Sequence, residues 1–437
     1  MSSQEFQHNI RQKISMKKIL ITSVFILGIL GSLFIYNHKN KQPLSLTYLK
    51  NPCEIVICNK LEAKQIYITL VFKNAGVLQN SDSQHGISAL ISKLLFRKIG
   101  GLTVAETGEK LQRLGITNLS VEGLSDDFIV SFNVLEDKFN PAVEFLISGF
   151  GEKFSENDLS YVKEFFPVEI NPENSQPDEI LIDKLYQNLY PNHVYGKNIT
   201  GSSDSITKVT LEDINNFIKD NFALDNLKIC YAGKYSIEKL SVLVDNISKF
   251  LLQKSNQNKI PDLDKIEVNC AEEKISNSNI RDICGVSTGI RLDNLSKQEK
   301  AALYIVSDAL FNDINGEFLN TDIPMKVSYT VDDRKMSTVL VLTTFVQKKD
   351  LERYLKIQKD FLSCLNLSQI KNLELSKKDF IENKKIFSLR SMRNSLIFFG
   401  LPFEDCNNET YEKILEKIRQ PKIRSTISIL AEETLSN

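Results

Sequence analysis

The stretch QHGISALISKLLFRK, residues 84–98, decides the fold of this chain. Its apolar side chains follow the i, i+3, i+4, i+7, i+8 spacing that places residues on one face of an α-helix. They are Ile87, Leu90, Ile91, Leu94 and Leu95. The spacing predicts an amphipathic helix that packs this face against a core.

The same stretch resembles the zinc helix of the insulinase/pitrilysin family of metallopeptidases, whose pattern reads G-x-x-H-x-x-E-H-x-L-F. Gly86 and Phe96 align with the first and last letters of that pattern. The H-x-x-E-H positions then fall on Ala89, Ser92 and Lys93. The resemblance therefore implies the scaffold of the family without its metal-binding chemistry.

The three substituted positions cannot supply that chemistry. Zinc requires electron-pair donors such as neutral imidazole or carboxylate. Ala89 has no donor atom, and the Lys93 ammonium has no free lone pair at neutral pH. Ser92 is too weak a base to replace the glutamate that activates the bound water. We therefore expect no catalytic residue, no bound metal and no cofactor, although the family resemblance implies zinc.

One acidic residue matches the third zinc ligand of the family. Glu169 lies 76 positions after Lys93, in the phrase VEINPENSQP, which resembles the family's E-I-x-x-x-x-D-x-P segment. The resemblance implies that Glu169 faces the vestigial site. The ammonium of Lys93, placed where a metal cation would sit, is then expected to pair with the Glu169 carboxylate.

Two histidines lie near the matching phrases without completing a metal site. His85 precedes Ala89 by four residues, and no second histidine is within helical reach of it. We interpret His85 as a polar residue at the helix start. His193 opens HVYGKNITG, residues 193–201, which resembles the H-x-Y-G phrase that the family carries outside its site.

Composition indicates an ordinary globular protein. The chain has 437 residues, 42% hydrophobic and 25% charged, which allows two or three domains. The net charge of −1 supplies no basic field, so we expect no nucleic-acid partner. The seven cysteines form no C-x-x-C pair, which favours buried free thiols over a zinc ribbon.

The N-terminal region indicates a membrane association. Residues 1–18 are basic, and residues 19–36, ILITSVFILGILGSLFIY, form an uncharged apolar run. The run is just long enough to span a bilayer, and we expect a transmembrane anchor, with a cleaved signal segment as the alternative. A tether, residues 37–46, follows. The body is then membrane-anchored or secreted, on the extracytoplasmic (periplasmic) side.

The order of predicted elements indicates an internal duplication. Strand, helix, strand pair and then helices occur in 47–252 and again in 270–437, with a polar linker at 253–269. We predict an α+β fold of two tandem homologous insulinase-type units, each an antiparallel-rich sheet packed with helices. The first unit carries the degenerate zinc site. The chain's end, AEETLSN, leaves little room for the last strand of the second unit.

A tyrosine in the second unit matches a substrate-handling position. Active assemblies of the family carry an Arg and a Tyr that help to position the peptide, and Tyr329, in KVSYTV, matches the tyrosine. Residues 320–323, where the Arg belongs, are Asn, Thr, Asp and Ile. A plain aromatic strand residue is the alternative interpretation of Tyr329.

These features favour a catalytically inactive, metallopeptidase-like protein. The resemblance implies the non-catalytic subunit of a pair, whose partner is an active insulinase-family homologue or a second copy, with peptide as a possible ligand. One alternative is an active zinc metalloendopeptidase with displaced ligands from Glu54, Glu62, Glu122 or Asp126. Another is a free-standing peptide-binding or structural protein.

Overall fold

The computed structural model describes residues 45–49, 52–59, 64–79, 84–169, 177–256, 267–270, 272–277, 282–319, 327–390 and 401–431. The apolar run 19–36 and most of the expected linker lie outside these residues. Within the described ranges, no helix combines the length and the apolar character that crossing a bilayer requires.

The described residues of the first domain form six strands and eight α-helices. The strands are β1 (Ser45–Leu49), β2 (Glu54–Asn59), β3 (Gln65–Phe72), β4 (Ile116–Gly123), β5 (Phe128–Leu135) and β6 (Leu227–Gly233). The helices are α1 (Ile87–Leu94), α2 (Val104–Arg113), α3 (Phe139–Ser148), α4 (Glu156–Glu169), α5 (Pro177–Leu189), α6 (Ser203–Lys208), α7 (Leu211–Asn221) and α8 (Ile237–Phe250).

The six strands form one sheet in the order β1-β2-β6-β3-β5-β4. β2 and β6 are parallel, and the other neighbours are antiparallel. The central strand β3, QIYITLVF, is buried along most of its length, with Ile66, Ile68 and Leu70 completely inaccessible. The apolar stripe of α1 joins this core, as its spacing predicts.

In the second domain, the part that the structure describes forms five strands and four α-helices. The strands are β7 (Glu272–Asn277), β8 (Ile283–Asp293), β9 (Ser328–Asp333), β10 (Ser337–Gln347) and β11 (Arg424–Ala431). The helices are α9 (Lys297–Leu319), α10 (Leu351–Ser363), α11 (Leu373–Arg390) and α12 (Asn408–Arg419).

The second sheet repeats the first. Its order is β7-β11-β8-β10-β9, with β7 and β11 parallel and the other neighbours antiparallel. The strands correspond one by one to β2, β6, β3, β5 and β4, so β1 is the only strand of the first sheet that lacks a counterpart among the described residues. The predicted duplication and the α+β fold of two tandem units are confirmed.

The expectation about the chain's end is wrong. The last strand of the second unit is β11, which ends at Ala431, where AEETLSN begins, and pairs with both β7 and β8. Its sequence, RSTISILA, is rich in β-branched residues, and its place between two strands supplies hydrogen bonds on both edges. At the other end of the chain, β1 includes Ser45 and Leu46, which the sequence assigned to the tether.

Two helix starts follow directly from local sequence. The hydroxyl of Thr103 accepts a hydrogen bond from the Glu106 amide, and the Glu106 carboxylate accepts one from the Thr103 amide. Thr210 and Asp213 form the same capping box at the start of α7. Each box satisfies backbone N–H groups that the helix itself leaves free.

Helix α5 joins the two domains. Its Leu181, Leu185 and Leu189 pack against Val341 and other apolar residues on the face of the second sheet that points away from α9 to α12. Gly289 of β8 permits this approach, because a Cβ there would lie 2.7 Å from a Leu189 methyl carbon. The interface is therefore continuous apolar packing, which makes a fixed relation between the domains the expectation.

Candidate functional site

The three substituted positions lie on α1, and their side chains differ in exposure. Ala89 is buried, Ser92 is partly buried and Lys93 is exposed. The Ser92 hydroxyl donates to the Ala89 carbonyl at 2.7 Å, within the same helix. The Lys93 Nζ lies 5.3 Å from the centre of the Phe166 ring on α4, within range of a cation–π interaction.

Two glycines bring separate phrases of the sequence together at the start of α1. Gly86 and Gly201 both have positive φ, at 91° and 83°. A Cβ on either would lie 2.9 Å from the Cα of the other. The glycine of the 84–98 stretch and the last glycine of 193–201 therefore cross at contact distance, which excludes any side chain.

The closing residue of the stretch turns the chain away from α1. Phe96 has a φ of 62°, a conformation that is unusual for an aromatic residue. Its buried ring packs edge-to-face against Phe150, and a Cβ at Gly149 would lie 2.5 Å from it. This turn directs the guanidinium of Arg97 over the Tyr161 ring of α4 at 3.8 Å.

Glu169 is the last residue of α4, the helix that packs beside α1. Phe166, one turn earlier on α4, lies under the Lys93 ammonium. The structure therefore places the end of α4 next to the vestigial positions. The side chain of Glu169 lies outside the description, and its pairing with Lys93 stays a prediction.

These residues do not fit a zinc ion. The positions that the sequence resemblance assigns to two imidazoles and a carboxylate hold a methyl group, a hydroxyl bonded to its own helix, and an ammonium. Throughout the described ranges, no group of three His, Cys, Asp or Glu side chains is placed to hold a metal.

The acidic residues considered as displaced zinc ligands have other interactions or positions. Glu54 forms ion pairs with Lys73 at 3.4 Å and Lys228 at 3.2 Å. Glu122 accepts a hydrogen bond from Ser120. Asp126 lies at the junction of the two domains, and Glu62 lies outside the described residues. His85 precedes α1 and is partly buried.

An open sheet edge runs beside α1. β4 pairs with β5 alone among the described strands, so its outer backbone is available. Gly123 at its end touches α1, since a Cβ there would lie 2.8 Å from the Ser88 Cβ. The register is irregular between Thr117 and Ser120, where Asn118 has positive φ. Such an edge can accept an extended peptide as an added strand.

Comparison with known proteins adds relatives of one kind, although no protein-family model matches the chain. An uncharacterized zinc protease of Rickettsia felis is 22% identical over 222 residues, 51% of this chain and 53% of the relative. A non-peptidase homolog, YmxG, of Helicobacter pylori is 23% identical over 244 residues, 54% of this chain and 53% of its own length. The chain thus matches about half the length of these curated relatives.

The similarity to solved structures is broader. A peptidase M16 inactive domain from Pseudomonas fluorescens superposes with a TM-score of 0.76 at 16% identity, covering 90% of this chain and 100% of that one. The periplasmic protease PqqL from Escherichia coli gives a TM-score of 0.68 at 14% identity, covering 92% of this chain and 47% of that one. The chain therefore shares the fold of these peptidase M16-like structures, and half of its sequence is similar to zinc proteases and to a non-peptidase homolog.

The phrase H-V-Y-G, residues 193–196, lies at the domain interface. The backbone N–H of Tyr195 donates to the His193 Nδ1 at 3.1 Å, and the Tyr195 hydroxyl donates to Asp126. Gly196 completes the phrase because a Cβ there would lie 2.4 Å from the Tyr190 carbonyl oxygen. The phrase therefore has a structural role at some distance from the vestigial site.

A buried arginine from the second domain enters this cluster. Arg334, 8% exposed, donates to the Tyr195 carbonyl at 3.0 Å and to Asp332 at 2.7 Å. Its guanidinium centre lies 4.2 Å from the Tyr186 ring centre and 4.9 Å from that of Tyr195. The Tyr186 hydroxyl donates to Asp332 at 2.6 Å, so both domains contribute to one network.

His193 is neutral in this setting. It is 5% exposed, and its Nε2 finds no hydrogen-bond partner among the described residues. Burial, together with the nearby cations Arg291 and Arg334, lowers the pKa of His193 to about 4. Sequence reasoning identified His193 from its phrase, but the arginines that surround it come from a region more than 90 residues away.

A groove of about 1420 Å³ lies between the two domains. Asp126 and Asp127 line one wall, and Asp332 and Lys335 belong to the other. Burial raises the pKa of Asp127 to about 6, although the hydrogen bond that its carboxylate accepts from the Asn74 amide acts to lower that pKa. Ala89, Ser92 and Lys93 do not line this groove, so the vestigial site and the groove are separate places.

Tyr329 is held inside the second domain. Its hydroxyl donates to Asp308 of α9 at 3.0 Å, and its ring centre lies 5.1 Å from that of Phe311. Burial and the Asp308 carboxylate both raise the pKa of Tyr329. The side chain thus faces the helices, and a substrate-handling role stays a prediction.

Proposed function

We propose that this chain is a catalytically inactive insulinase-family protein that pairs with an active zinc peptidase outside the cytoplasm and helps to form its peptide chamber. The single observation that supports this most strongly is the state of α1. The helix, its glycine crossing and its closing phenylalanine are all present, while the three metal-site positions hold Ala89, Ser92 and Lys93.

Preservation of the scaffold favours a role that depends on its shape. The substituted helix lies beside the open edge of β4, where an extended peptide can add backbone hydrogen bonds. Lys93, exposed beside the Phe166 ring, supplies a positive charge but no metal ligand and no catalytic base. A subunit of this kind positions or encloses a peptide while another subunit cleaves it.

An extracytoplasmic location is part of the proposal. It rests on the apolar run 19–36, which follows the basic segment 1–18 and has the length of a membrane anchor. One structural neighbour is a periplasmic protease, which agrees with this location.

Metal analysis of the purified full-length chain tests the inactive state. We expect substoichiometric zinc and no chelator-sensitive peptide cleavage. The matched variant, Ala89→His with Ser92→Glu and Lys93→His, restores the family's ligand spacing and is expected to retain more zinc than the parent. Stoichiometric zinc in the parent, with cleavage abolished by chelator and restored by zinc, would establish the displaced-ligand enzyme instead.

Co-purification from the native membrane tests the pairing. Cross-linking followed by gentle solubilisation should recover a homologue with an intact H-x-x-E-H motif. Recovery of two copies of this chain indicates a self-dimer. Recovery of the chain alone at monomer size supports the free-standing protein and contradicts the proposed pairing.

Peptide binding is tested by hydrogen exchange. Addition of an unstructured peptide should slow amide exchange in β4, residues 116–123. The edge strand of the second sheet, β9, provides the internal control because it has the same topological position. Equal protection of both edges, or of neither, counts against a peptide site beside α1.

The Lys93–Glu169 pair is part of this proposal and has its own test. Lys93→Ala leaves the carboxylate without its expected partner, whereas Lys93→Ala with Glu169→Gln removes both charges. Because an unpaired charge costs more than a missing pair, the single variant should be the less stable. A double variant that unfolds at lower urea concentration than Lys93→Ala refutes the pairing.

A further inference from the structure

One end of the first sheet is where the chain reaches the folded body. β1 begins there at Ser45, which pairs with Asn59 at the end of β2. Asn59 pairs in turn with Gly233 at the end of β6. β3 and β4 also begin at this end, and β5 finishes there. We call this the basal end.

The basal end has a bounded distance from the apolar run. Eight residues, 37–44, separate the run 19–36 from Ser45. A fully extended chain of that length spans at most about 30 Å. If the run spans a bilayer, as the proposed function holds, the basal end stays within that distance of the membrane surface.

The basal end is cationic although the whole chain has a net charge of −1. Glu136, the acid at the end of β5, already forms ion pairs with Lys234 at 3.0 Å and Lys239 at 2.9 Å. Among the described residues at this end, the remaining basic side chains outnumber the remaining acidic ones. The basic set is Lys64, Arg113, Lys138, Lys234 and Lys239, and the acidic set is Glu136, Asp137 and Glu238.

An exposed apolar side chain lies among these charges. Ile237, the first residue of α8, is 44% exposed. It is placed at the basal end because the backbone of Tyr235, two residues earlier, donates to the Asn59 side chain at 3.1 Å. The positive end of the α8 dipole points the same way. Cationic side chains around an exposed aliphatic residue suit the interface of an anionic bilayer.

We propose that the basal end rests on a membrane surface rich in anionic lipid headgroups. This contact rests on the proposed anchor and goes beyond it, because it fixes how the body stands on the bilayer. The opposite ends of β3 and β5, near Asp126 and the interdomain groove, then lie about 25 Å further from the membrane. The second domain points into the compartment, and the vestigial site stays accessible to a partner from the side.

The absence of tryptophan from the chain makes a sharp test possible. Ile237→Trp introduces a single fluorophore at the basal end, and Leu252→Trp introduces one just beyond the other end of α8. Leu252 is 47% exposed, close to the value for Ile237. About 20 Å of helix separates the two positions, so they differ in location rather than in exposure.

The full-length variants are reconstituted into vesicles of phosphatidylglycerol and phosphatidylcholine that contain brominated acyl chains. We expect at least threefold stronger quenching at position 237 than at 252, and weaker quenching at 237 in pure phosphatidylcholine. Lys64→Gln with Lys234→Gln should reduce the quenching at 237. Lys356→Gln with Lys359→Gln, two exposed lysines of the second domain, should leave it unchanged.

The outcomes separate this inference from the proposed anchor. Failure to float with the vesicles overturns both. Flotation with equal quenching at the two positions, or with quenching independent of anionic lipid, overturns the basal contact and leaves the anchor standing. Lys64→Trp is a second reporter at the same end if Ile237→Trp does not fold.

Discussion

Replacement of Arg334 by methionine should loosen the junction between the two domains. The guanidinium donates to a backbone carbonyl of the first domain and to Asp332, and it stacks against Tyr186. Methionine keeps most of the apolar stem and removes every hydrogen bond and the charge. Asp332 is then left with the Tyr186 hydroxyl as its described donor.

The size of the effect follows from these contacts. A hydrogen bond to a charged group contributes about 1.5–3 kcal/mol, and a partly desolvated cation–π contact about 1 kcal/mol. The Asp332 side chain is 27% exposed, so solvent screens part of its ion pair. We therefore expect the free energy of separating the interface to fall by about 3 kcal/mol.

Hydrogen exchange measured by mass spectrometry reports this separation locally. A loss of about 3 kcal/mol corresponds to roughly a hundredfold faster exchange where opening of the interface controls it. The acceleration should appear in residues 177–197, which contain α5 and the H-V-Y-G phrase. Helix α3, in the core of the first domain, should exchange at its original rate.

Two further variants make the reasoning refutable. Arg353→Met removes an exposed arginine of α10 and should leave residues 177–197 unchanged. Asp332→Asn added to Arg334→Met should recover part of the protection, because it removes the orphaned charge. An increase below about fivefold for Arg334→Met would show that the network contributes little to the interface.

Three further predictions concern pH and backbone packing. Burial lowers the pKa of His193 to about 4, so between pH 6.5 and 4 the unfolded chain binds a proton that the folded chain does not. The free energy of unfolding should therefore fall by at most about 3 kcal/mol over this range. His193→Gln should abolish this pH dependence in urea midpoints measured at both pH values. Burial raises the pKa of Asp127 to about 6, so its contribution to the pH dependence of stability has the opposite sign. The free energy of unfolding should rise as pH falls from 6 towards 4. Asp127→Asn should remove that rise, and an unaltered dependence of stability on pH would contradict the raised pKa. Gly196→Ala forces a Cβ to 2.4 Å from a carbonyl oxygen and should lower the free energy of unfolding by more than about 2 kcal/mol, measured by heat or urea. Gly108→Ala in α2 is the control, because its Cβ meets no neighbour, and it should stabilise the protein by about 0.5–1 kcal/mol.

Local patterns predicted much of the fold because they depend on near neighbours. The apolar spacing of 84–98 gave α1, and Thr103 and Thr210 marked two helix starts through capping boxes. The repeated order of elements predicted the duplication that the two matching sheets confirm. The helix spacing and the capping boxes depend on contacts within a few residues, which a sequence displays directly, and the repeated order follows when such local signals are compared between the two halves.

The prediction for the last strand of the second unit was wrong because the strands that pair with it are distant in sequence. Nothing local in RSTISILA indicates that β11 lies between β7 and β8, because that place depends on strands about 140 to 150 residues earlier. β1 was missed for a different reason: its partner β2 is near in sequence, but SLTYL is short and directly follows the polar segment that the sequence assigned to the tether.

The sequence by itself determined which chemistry is absent from the metal-site positions, because a side chain's donor atoms are fixed by its identity. Alanine, serine and lysine at 89, 92 and 93 exclude the zinc-binding triad in any fold. Only the tertiary structure decided which residues meet at the domain interface and at the end of the first sheet. Arg334, Tyr186 and Asp332 gain their roles from a domain interface, and Ile237 gains its place from the sheet end where the chain enters. Such roles depend on distance in space, which the order of residues does not specify.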